Sequence, residues 1–146
     1  MGKLQKTVQE MQDFLVQNND LEGVYGDGKS IPVVPEIPIT NYFADGIYLR
    51  QMEMPADTVV VGAIHNHLHA WFLLTGRVLI NNNGEIIEHI APCFTISKPG
   101  SKRLIYALED SIFVNVHKNP SNTQDIKKLE QEIVSMTMDE FNEKYK

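Results

Sequence analysis

The fold of this chain is decided by residues 62–76, which read GAIHNHLHAWFLLTG. Histidines occupy alternate positions at His65, His67 and His69, and an apolar run follows them directly. Side chains at alternate positions of an extended strand point to the same face, with about 6–7 Å between their Cα atoms. The pattern predicts three imidazoles on one face, which can converge on one ion if the chain curves or turns there.

Short runs rich in β-branched and aromatic residues surround this stretch on both sides. Turn-forming residues separate the runs, and Asn83-Gly84 predicts a two-residue hairpin. The predicted strands are Ile47 to Met54, Thr58 to His65, Trp71 to Thr75, Arg77 to Asn81, Glu85 to His89, Phe94 to Ser97, Leu104 to Ala107 and Ser111 to His117. Because no helical crossovers lie between them, these strands predict a β-sandwich or a β-barrel.

Amphipathic helices are predicted on both sides of the β-region. Their apolar stripes are Leu4, Val8, Met11 and Leu15 near the N-terminus, and Ile126, Leu129 and Ile133 after Pro120. Thr137 and Glu140 have the spacing of a capping box for a last helix. The length of 146 residues fits one domain. We expect an N-terminal helix and loop at 1–30, a β-barrel at 31–120 and C-terminal helices at 121–146.

The composition limits the partners that we expect. A formal net charge of −6 with scattered basic residues disfavours a nucleic-acid groove. No apolar run approaches the ~20 residues that a membrane helix needs, so we expect no membrane partner. The single cysteine, Cys93, has no intramolecular partner, which fits a reducing compartment. We expect a cytoplasmic protein.

The histidines are the candidate metal ligands. His117 ends the last predicted strand, SIFVNVH, in which alternation places it on the same face as Asn115 and Phe113. We predict a divalent transition metal at His65, His67, His69 and His117, because imidazole is a common ligand of such ions. This ligand set does not distinguish Fe, Zn, Ni, Mn and Cu. The alternative is that these are surface or hydrogen-bonded histidines in a loop.

The same stretch resembles a known motif. The run from Gly62 to Gly76, followed by RVLINNNGE, resembles the first motif of the cupin superfamily: a glycine, an HxH pair, a carboxylate and a second glycine. Six residues separate His69 from Gly76, so His69 takes the position usually held by glutamate. Residues 98–103, KPGSKR, resemble the second motif with Arg103 in place of its histidine.

The resemblance covers roughly residues 40–117 and implies an all-β, cupin-type jelly-roll barrel (a double-stranded β-helix), flanked here by N- and C-terminal helices. The phrases YFADGIYLRQM, GAIHNHLH and APCFTIS are similar to those of small uncharacterised single-domain cupin proteins often carried by bacteriophages. That likeness implies a phage protein, which would work in the host cytoplasm, and implies no particular activity.

Two registers remain open for the HxH pair. If the spacing back from His69 governs, His65 is the second histidine of the pair and Ala63 stands in place of the first. If the literal HxH governs, His65 and His67 are the pair. In both registers, His65 and His69 remain candidate ligands.

Arg103 and Tyr106 are the candidate ligand-binding residues. A guanidinium does not bind metals, but it can hold a carboxylate or phosphate of the ligand through two hydrogen bonds. A tyrosine hydroxyl can orient a ligand or act as an acid. The alternatives are a solvated turn cation for Arg103 and a half-buried barrel aromatic for Tyr106. His89, beside Glu88, is predicted to lie at the surface.

Three function classes follow from these residues, and catalytic residues are not assigned in any of them. The first is a metal-dependent enzyme acting on a small polar or anionic molecule, with its reaction class open. The second is a non-catalytic barrel that binds or sequesters a small molecule. The third is a structural module for oligomerisation. We also expect a homodimer that pairs through an edge strand or swapped termini.

Overall fold

The computed structural model describes residues 24–25, 37–82, 84–135 and 137–144. The helix predicted from the stripe Leu4 to Leu15 lies outside these residues. The described residues cover most of the predicted β-region and most of the C-terminal region.

Strands dominate the described residues, and two short helices follow them. The strands are β1 (Val24–Tyr25), β2 (Ile39–Ala44), β3 (Ile47–Met54), β4 (Val59–Val61), β5 (Ile64–His65), β6 (His69–Thr75), β7 (Arg77–Asn82), β8 (Glu85–Ile90), β9 (Cys93–Ser97), β10 (Arg103–Ala107), β11 (Ser111–Lys118) and β12 (Val134–Ser135). The helices are α1 (Ile126–Ile133) and α2 (Met138–Lys144). No helix in the described part of the chain is long and apolar enough to cross a membrane.

Two five-stranded sheets form the body of the fold. The first sheet has the order β1-β4-β10-β7-β8 and the second has the order β2-β3-β11-β6-β9, while β12 pairs with β5. Within the described residues, no strand of the first sheet pairs with a strand of the second. The structure therefore shows a two-sheet sandwich, and it does not show the closed barrel that the sequence predicted.

Most predicted strands agree with the observed ones. The strand from Ile47 to Met54 has its predicted bounds, and six others differ from prediction by one or two residues. The run from Thr58 to His65 instead forms β4 and β5. At Gly62 the chain approaches β10 closely, because Gly62 N donates to Arg103 O at 2.9 Å. The chain then leaves the first sheet, and β5 pairs with β12.

The space between the sheets has an apolar half and a polar half. Both arise because alternate residues of each strand point inward. The apolar half contains Met52, Met54, Val60, Trp71, Leu73, Val78, Ile80, Ile105, Ala107 and Phe113. The buried polar side chains include Arg50, His65, His69, Ser97, Arg103, Asn115 and His117. The buried charges of the polar half must therefore be compensated by neighbouring groups or by a ligand.

Gly76 connects β6 to β7 and is required there for two reasons. Its φ of +88° is a left-handed conformation that residues with a Cβ rarely adopt. A Cβ at this position would also overlap the Asp110 carbonyl oxygen and the Ser111 side chain. The second glycine of the motif is therefore a turn residue packed against the start of β11.

The C-terminal segment packs beside the polar half. The Asp125 side chain caps α1 by accepting from Lys127 N and Lys128 N. The predicted stripe buries Leu129 and Ile133, which pack with a cluster made of Tyr48, Ala63 and Val134. Thr137 Oγ1 accepts from Glu140 N at 3.1 Å at the start of α2, as expected of half a capping box.

Asn66 ties this C-terminal segment to the histidine-bearing chain. Its backbone N donates to Ile133 O at 2.7 Å, and its side-chain amide donates to Glu132 O at 3.1 Å. The Ser135 hydroxyl donates to Asn66 Oδ1 at 2.5 Å. Asn66 is fully buried, so the segment from Glu132 to Ser135 is held against the polar half by satisfied hydrogen bonds.

Candidate functional site

Strand pairing assembles the polar half from residues distant in sequence. In the second sheet, β11 lies between β3 and β6, so Asn115 has Arg50 on one side and Trp71 on the other. His117, two residues further along β11, lies opposite Tyr48 on β3. The inward polar residues of these three strands, Arg50, His69, Asn115 and His117, therefore form one polar surface beside the apolar inward residues of the same strands.

Three imidazoles lie together on this surface. The ring centroids of His65 and His69 are 4.4 Å apart, those of His69 and His117 are 4.7 Å apart, and those of His65 and His117 are 5.7 Å apart. The ring planes differ by only 9–28°. All three side chains are buried. The structure thus brings together three of the four histidines that the sequence proposed as ligands.

His67 differs from these three histidines in its position and burial. The chain bends between β5 and β6, so strict alternation from His65 through His67 to His69 is lost. His67 is half-buried, whereas its two neighbours in the motif are buried. Burial and Lys118 lower its pKa.

Arg103 lies beside the imidazoles and is only 3% exposed. Its Nη2 donates to Asn115 Oδ1 at 2.9 Å and to His69 Nε2 at 3.2 Å. Its Nε and Nη1 are buried without a hydrogen-bond partner. The guanidinium carbon is 5.5 Å from the ring centroid of Phe113 and 6.0 Å from that of Trp71. The alternative of a solvated turn cation is therefore wrong.

The contact with Arg103 fixes the tautomer of His69. A guanidinium has only donors, so His69 Nε2 must accept from it. The proton of the neutral ring then lies on Nδ1, which is 3.4 Å from His67 O. The Nε2 lone pair that a metal would use is consequently occupied by the hydrogen bond from Arg103.

The three imidazoles are neutral near pH 7. Burial lowers the pKa of His65 and that of His117 well below 6.5, and it lowers the pKa of His69 to about 4. Nearby Arg103 adds to the depression of all three pKa values. Burial also lowers the pKa of Arg103 to about 9, which still leaves the guanidinium charged at neutral pH. The positive charge of this cluster thus belongs to Arg103.

Arg50 is a second buried cation that the sequence analysis missed. It is 7% exposed, and burial lowers its pKa to about 10, opposed by Tyr48 and Glu130. A signal was present in the sequence, because Arg50 alternates in phase with Met52 and Met54 on β3. Its burial follows from that alternation, just as the burial of the methionines does.

Tyr106, proposed from the sequence as a ligand-binding residue, does not lie in the cluster. It alternates with the buried residues Arg103, Ile105 and Ala107 on β10, so it faces the other side of the sheet. Its hydroxyl donates to Asp57 Oδ1 at 2.7 Å. The structure therefore gives Tyr106 a place outside the sandwich interior.

Two cavities border Arg103. The inner cavity measures about 40 Å³ and is bounded by Arg50, His65, Arg103, Asn115 and Val134, with apolar residues around them. The outer cavity measures about 450 Å³, and its lining includes Trp71, Glu85, Ile87, His89, Ser101 and Arg103. Arg103 is the residue common to the two linings. Arg103 therefore lies between the small cavity that His65 borders and the larger cavity that Trp71 borders.

His89 lies on the lining of the outer cavity, so the prediction of a surface position was incomplete. Its ring meets Trp71 edge-on, with the centroids 4.9 Å apart and the planes at 87°. His89 alternates with Glu85 and Ile87 on β8, and all three line the outer cavity. The polarity of Glu88 and His89 predicted that both lie on a solvated hairpin. The two side chains instead point to opposite faces of β8, and His89 is the one that lines the outer cavity.

The residues as placed do not fit a metal ion. Within the described residues, no group of three or more His, Cys, Asp or Glu side chains is arranged to hold one. An imidazole binds a metal ion through a nitrogen lone pair that lies in the plane of the ring. The rings of His65, His69 and His117 are stacked and nearly parallel, so their lone pairs lie in separate planes and do not point at one common position. The Arg103 cation beside His69 would also repel a metal ion.

Comparison with known proteins identifies the fold. The KdgF structure from Halomonas sp. matches with 17% identity and a TM-score of 0.51, covering 70% of this chain and 91% of that one. A cupin 2 conserved barrel domain protein from Salinispora arenicola matches with 13% identity and a TM-score of 0.50, covering 64% and 84%. Ectoine synthase from P. lautus matches with 19% identity and a TM-score of 0.50, covering 64% and 70%.

These likenesses show that the chain has the cupin fold, as the motif around His65 and His69 predicted. No protein-family model matches the chain, and no curated protein matches its sequence. The comparisons do not support the predicted likeness to phage proteins.

We expect the free energy of unfolding to fall as the pH is lowered from about 6.5 towards 4. The folded-state pKa values of the three buried histidines lie below their unfolded value of about 6.5, so the unfolded state binds more protons in this window. Each such histidine should contribute a slope of about 1.4 kcal/mol per pH unit. Urea denaturation across this range measures the slope. His65→Gln should reduce it and His67→Gln should change it less; equal slopes in the two variants would contradict the assignment.

Proposed function

We propose that this chain is a small-molecule-binding cupin protein whose ligand carries an anionic group that pairs with Arg103. One observation carries this proposal: the guanidinium is buried, charged and without an acidic partner among the described residues. Burying an unpaired charge costs several kcal/mol. A ligand anion would supply the missing negative charge and accept from Nε and Nη1, which have no partner.

The neutral imidazoles favour an anion in the same place. His65 Nδ1 is buried without a hydrogen-bond partner, so it can donate to a ligand oxygen when it carries the ring proton. Neither His65 nor His69 adds a negative charge that would repel the ligand. In the low-dielectric interior a charge-assisted hydrogen bond is about twice as strong as a neutral one.

The fold agrees with a small molecule as the ligand. Cupin-fold neighbours include an ectoine synthase, which by its name makes a small molecule. Its reaction is not transferred to this chain, because the identity of 19% carries the fold alone. The contacts around Arg103 support binding, and they assign no reaction.

Acetate should stabilise the wild-type protein more than it stabilises Arg103→Gln, with chloride at equal ionic strength as the reference for each. The acetate carboxylate would gain two charge-assisted hydrogen bonds from the guanidinium, and the glutamine has no charge to offer. The midpoint of thermal unfolding, measured against acetate concentration, gives the affinity. We expect at least about a ten-fold weaker affinity in Arg103→Gln.

Arg77→Gln is the control for this measurement, since Arg77 is partly exposed and its Nε lies 3.1 Å from Glu88 Oε1. It should respond to acetate as the wild type does. An equal response of wild type and Arg103→Gln would refute the anion proposal. Arg103→Gln should fold, because removing a buried unpaired charge is neutral or stabilising in the absence of ligand.

A second candidate is the divalent transition metal predicted from the sequence, whether Fe, Zn, Ni, Mn or Cu. The observation in its favour is the approach of three imidazole centroids to 4.4–5.7 Å, with His65 Nδ1 unpartnered. Binding would require the rings to rotate out of their stack and Arg103 to release His69 Nε2. The chemistry of such an ion would be that of a Lewis acid.

Elemental analysis of untagged protein decides between the candidates. The anion proposal predicts less than about one tenth of an equivalent of bound transition metal. If metal is present, His65→Ala and His69→Ala should each weaken its binding at least about ten-fold, and His67→Ala should not. A stoichiometric metal with that pattern would replace the anion proposal with the metal one.

We further propose a homodimer through the outer face of β6 and β9. Phe72 and Leu74 on β6 and Phe94 on β9 are exposed, and Phe72 lies opposite Phe94 in the strand pairing. The rings of Phe72 and Phe94 are 5.5 Å apart. A two-fold dimer places the same patch on both copies. Because the patch carries no charge, two copies of it can meet without the electrostatic repulsion that a chain of net charge −6 would otherwise cause.

Phe94→Glu should convert the dimer to a monomer, because the two-fold axis would bring two new carboxylates together in an apolar interface. Sedimentation velocity measures the change. Ile86→Glu, which adds the same charge at an exposed position of β8 in the other sheet, should remain dimeric. A monomeric wild type would remove the dimer proposal and leave the fold and the Arg103 site unaffected.

A further inference from the structure

The two cavities beside Arg103 differ in what they can hold. The inner cavity, at about 40 Å³, has room for one or two water molecules. The outer cavity, at about 450 Å³, lies in the range of small-molecule binding sites. A ligand larger than a few atoms that reaches Arg103 must therefore keep its body in the outer cavity.

Unpartnered hydrogen-bond donors lie where the outer cavity meets Arg103. They are Arg103 Nε and Nη1 and the Ser101 hydroxyl, all buried. Both residues belong to the lining of the outer cavity. Buried donors normally have partners, so a set of three without any indicates a missing acceptor. Oxygen atoms of one carboxylate can accept from both side chains.

The backbone holds these donors in position. Gly100 N donates to His65 O at 2.7 Å, and His65 N donates to Ser101 O at 2.9 Å. Ser101 N in turn donates to Lys98 O at 3.2 Å, which closes the turn. The segment that resembles the second cupin motif is thereby fixed to the histidine-bearing strand β5, and its side chains need little ordering when a ligand binds.

The rest of the lining is suited to an apolar, flat body. Ile87 contributes exposed apolar surface, whereas Trp71 and Ile80 border the cavity with side chains that are only 2% and 4% exposed. Trp71 is the single tryptophan of the chain. Aromatic rings favour other flat groups through stacking and edge-on contact. His89 already makes an edge-on contact with Trp71 and can shift toward a bound ring.

The charges of the lining favour a single negative charge. Arg103 is the buried cation of the outer cavity, and Lys98 is exposed at its edge. Glu85 also lines this cavity. Its carboxylate would repel a second anionic group placed there. A phosphate monoester carries about −1.5 to −2 at neutral pH, so a monocarboxylate matches the single buried cation better.

We propose that the outer cavity binds an organic monocarboxylate, with the carboxylate on Arg103 and Ser101 and an apolar, flat body against Trp71 and Ile87. This inference rests on the proposed function, which assigns an anion to Arg103, and it adds the side from which the ligand enters and the chemistry of its body.

Four probes test the ligand chemistry: benzoate, benzyl alcohol, terephthalate and phenyl phosphate. The readout is the indole Nε1–H signal of Trp71 in nitrogen-15 NMR spectra, which needs no assignment because the chain has one tryptophan. Benzoate should bind at least about ten-fold more tightly than benzyl alcohol, which lacks the charge. It should also bind more tightly than terephthalate, which has a second carboxylate, and than phenyl phosphate.

A matched pair of variants on β8 tests the location. Ile87→Glu places a carboxylate on the cavity lining, while Ile86→Glu places one at the neighbouring exposed position outside that lining. Both side chains are more than two fifths exposed, so neither variant should prevent folding. Ile87→Glu should weaken benzoate binding about ten-fold or more, and Ile86→Glu should leave it unchanged. Ser101→Ala should weaken it less than Ile87→Glu does.

The outcomes separate this inference from the proposed function. Acetate binding that depends on Arg103, together with no preference for benzoate over acetate, would overturn the outer-cavity inference and retain the anion at Arg103. Tighter binding of phenyl phosphate than of benzoate would overturn the choice of a monocarboxylate. Benzoate binding that Ile86→Glu weakens as much as Ile87→Glu does would overturn the location. Failure of acetate and benzoate alike would overturn both proposals.

Discussion

The burial of the Arg103 guanidinium is the constraint on which the rest of the polar half depends. A charge removed from water must be compensated, and among the described residues this guanidinium donates only to Asn115 Oδ1 and His69 Nε2. Both acceptors are neutral. The imidazoles lose their protons in this environment, since burial and the neighbouring guanidinium both oppose a further positive charge. The site is thus a cation surrounded by neutral acceptors.

The departures from the cupin motif have a common electrostatic consequence. Where the motif has a carboxylate, this chain has His69, and where the second motif has a histidine, it has Arg103. Arg103 adds a positive charge at the second position, and His69 omits the negative charge that a carboxylate would place at the first. Both differences make the interior of the sandwich more positive than the motif residues alone would make it.

Most strands could be predicted from the sequence because turn residues and side-chain alternation are local signals. Turn residues and alternation delimit the strands from Ile47 to Met54 and from Ser111 to His117 without reference to the rest of the chain. The same alternation placed His117 on the inward face. His67 lies where the backbone bends between β5 and β6, and a bend is not encoded by the period of two.

The remaining site residues depend on which strands are neighbours, and that is not a local property. Arg103 is buried because β10 lies between β4 and β7 with its odd-numbered residues inward. The same register directs Tyr106 outward. Arg50 could have been found from its phase with Met52, but its place beside Asn115 follows only from the pairing of β3 with β11. His89 meets Trp71 across the two sheets, a contact that no pattern within either strand predicts.

A crystal structure would show which group compensates the charge of Arg103. Crystals of untagged protein would be soaked with bromobenzoate, and anomalous data would be collected at the bromine, zinc and iron edges. We expect a carboxylate within hydrogen-bond distance of Arg103, a bromine signal in the cavity lined by Trp71 and Ile87, and no metal signal among the three stacked imidazoles. A transition-metal peak about 2.0–2.1 Å from nitrogen atoms of His65 and His69, with Arg103 displaced from His69, would contradict this expectation.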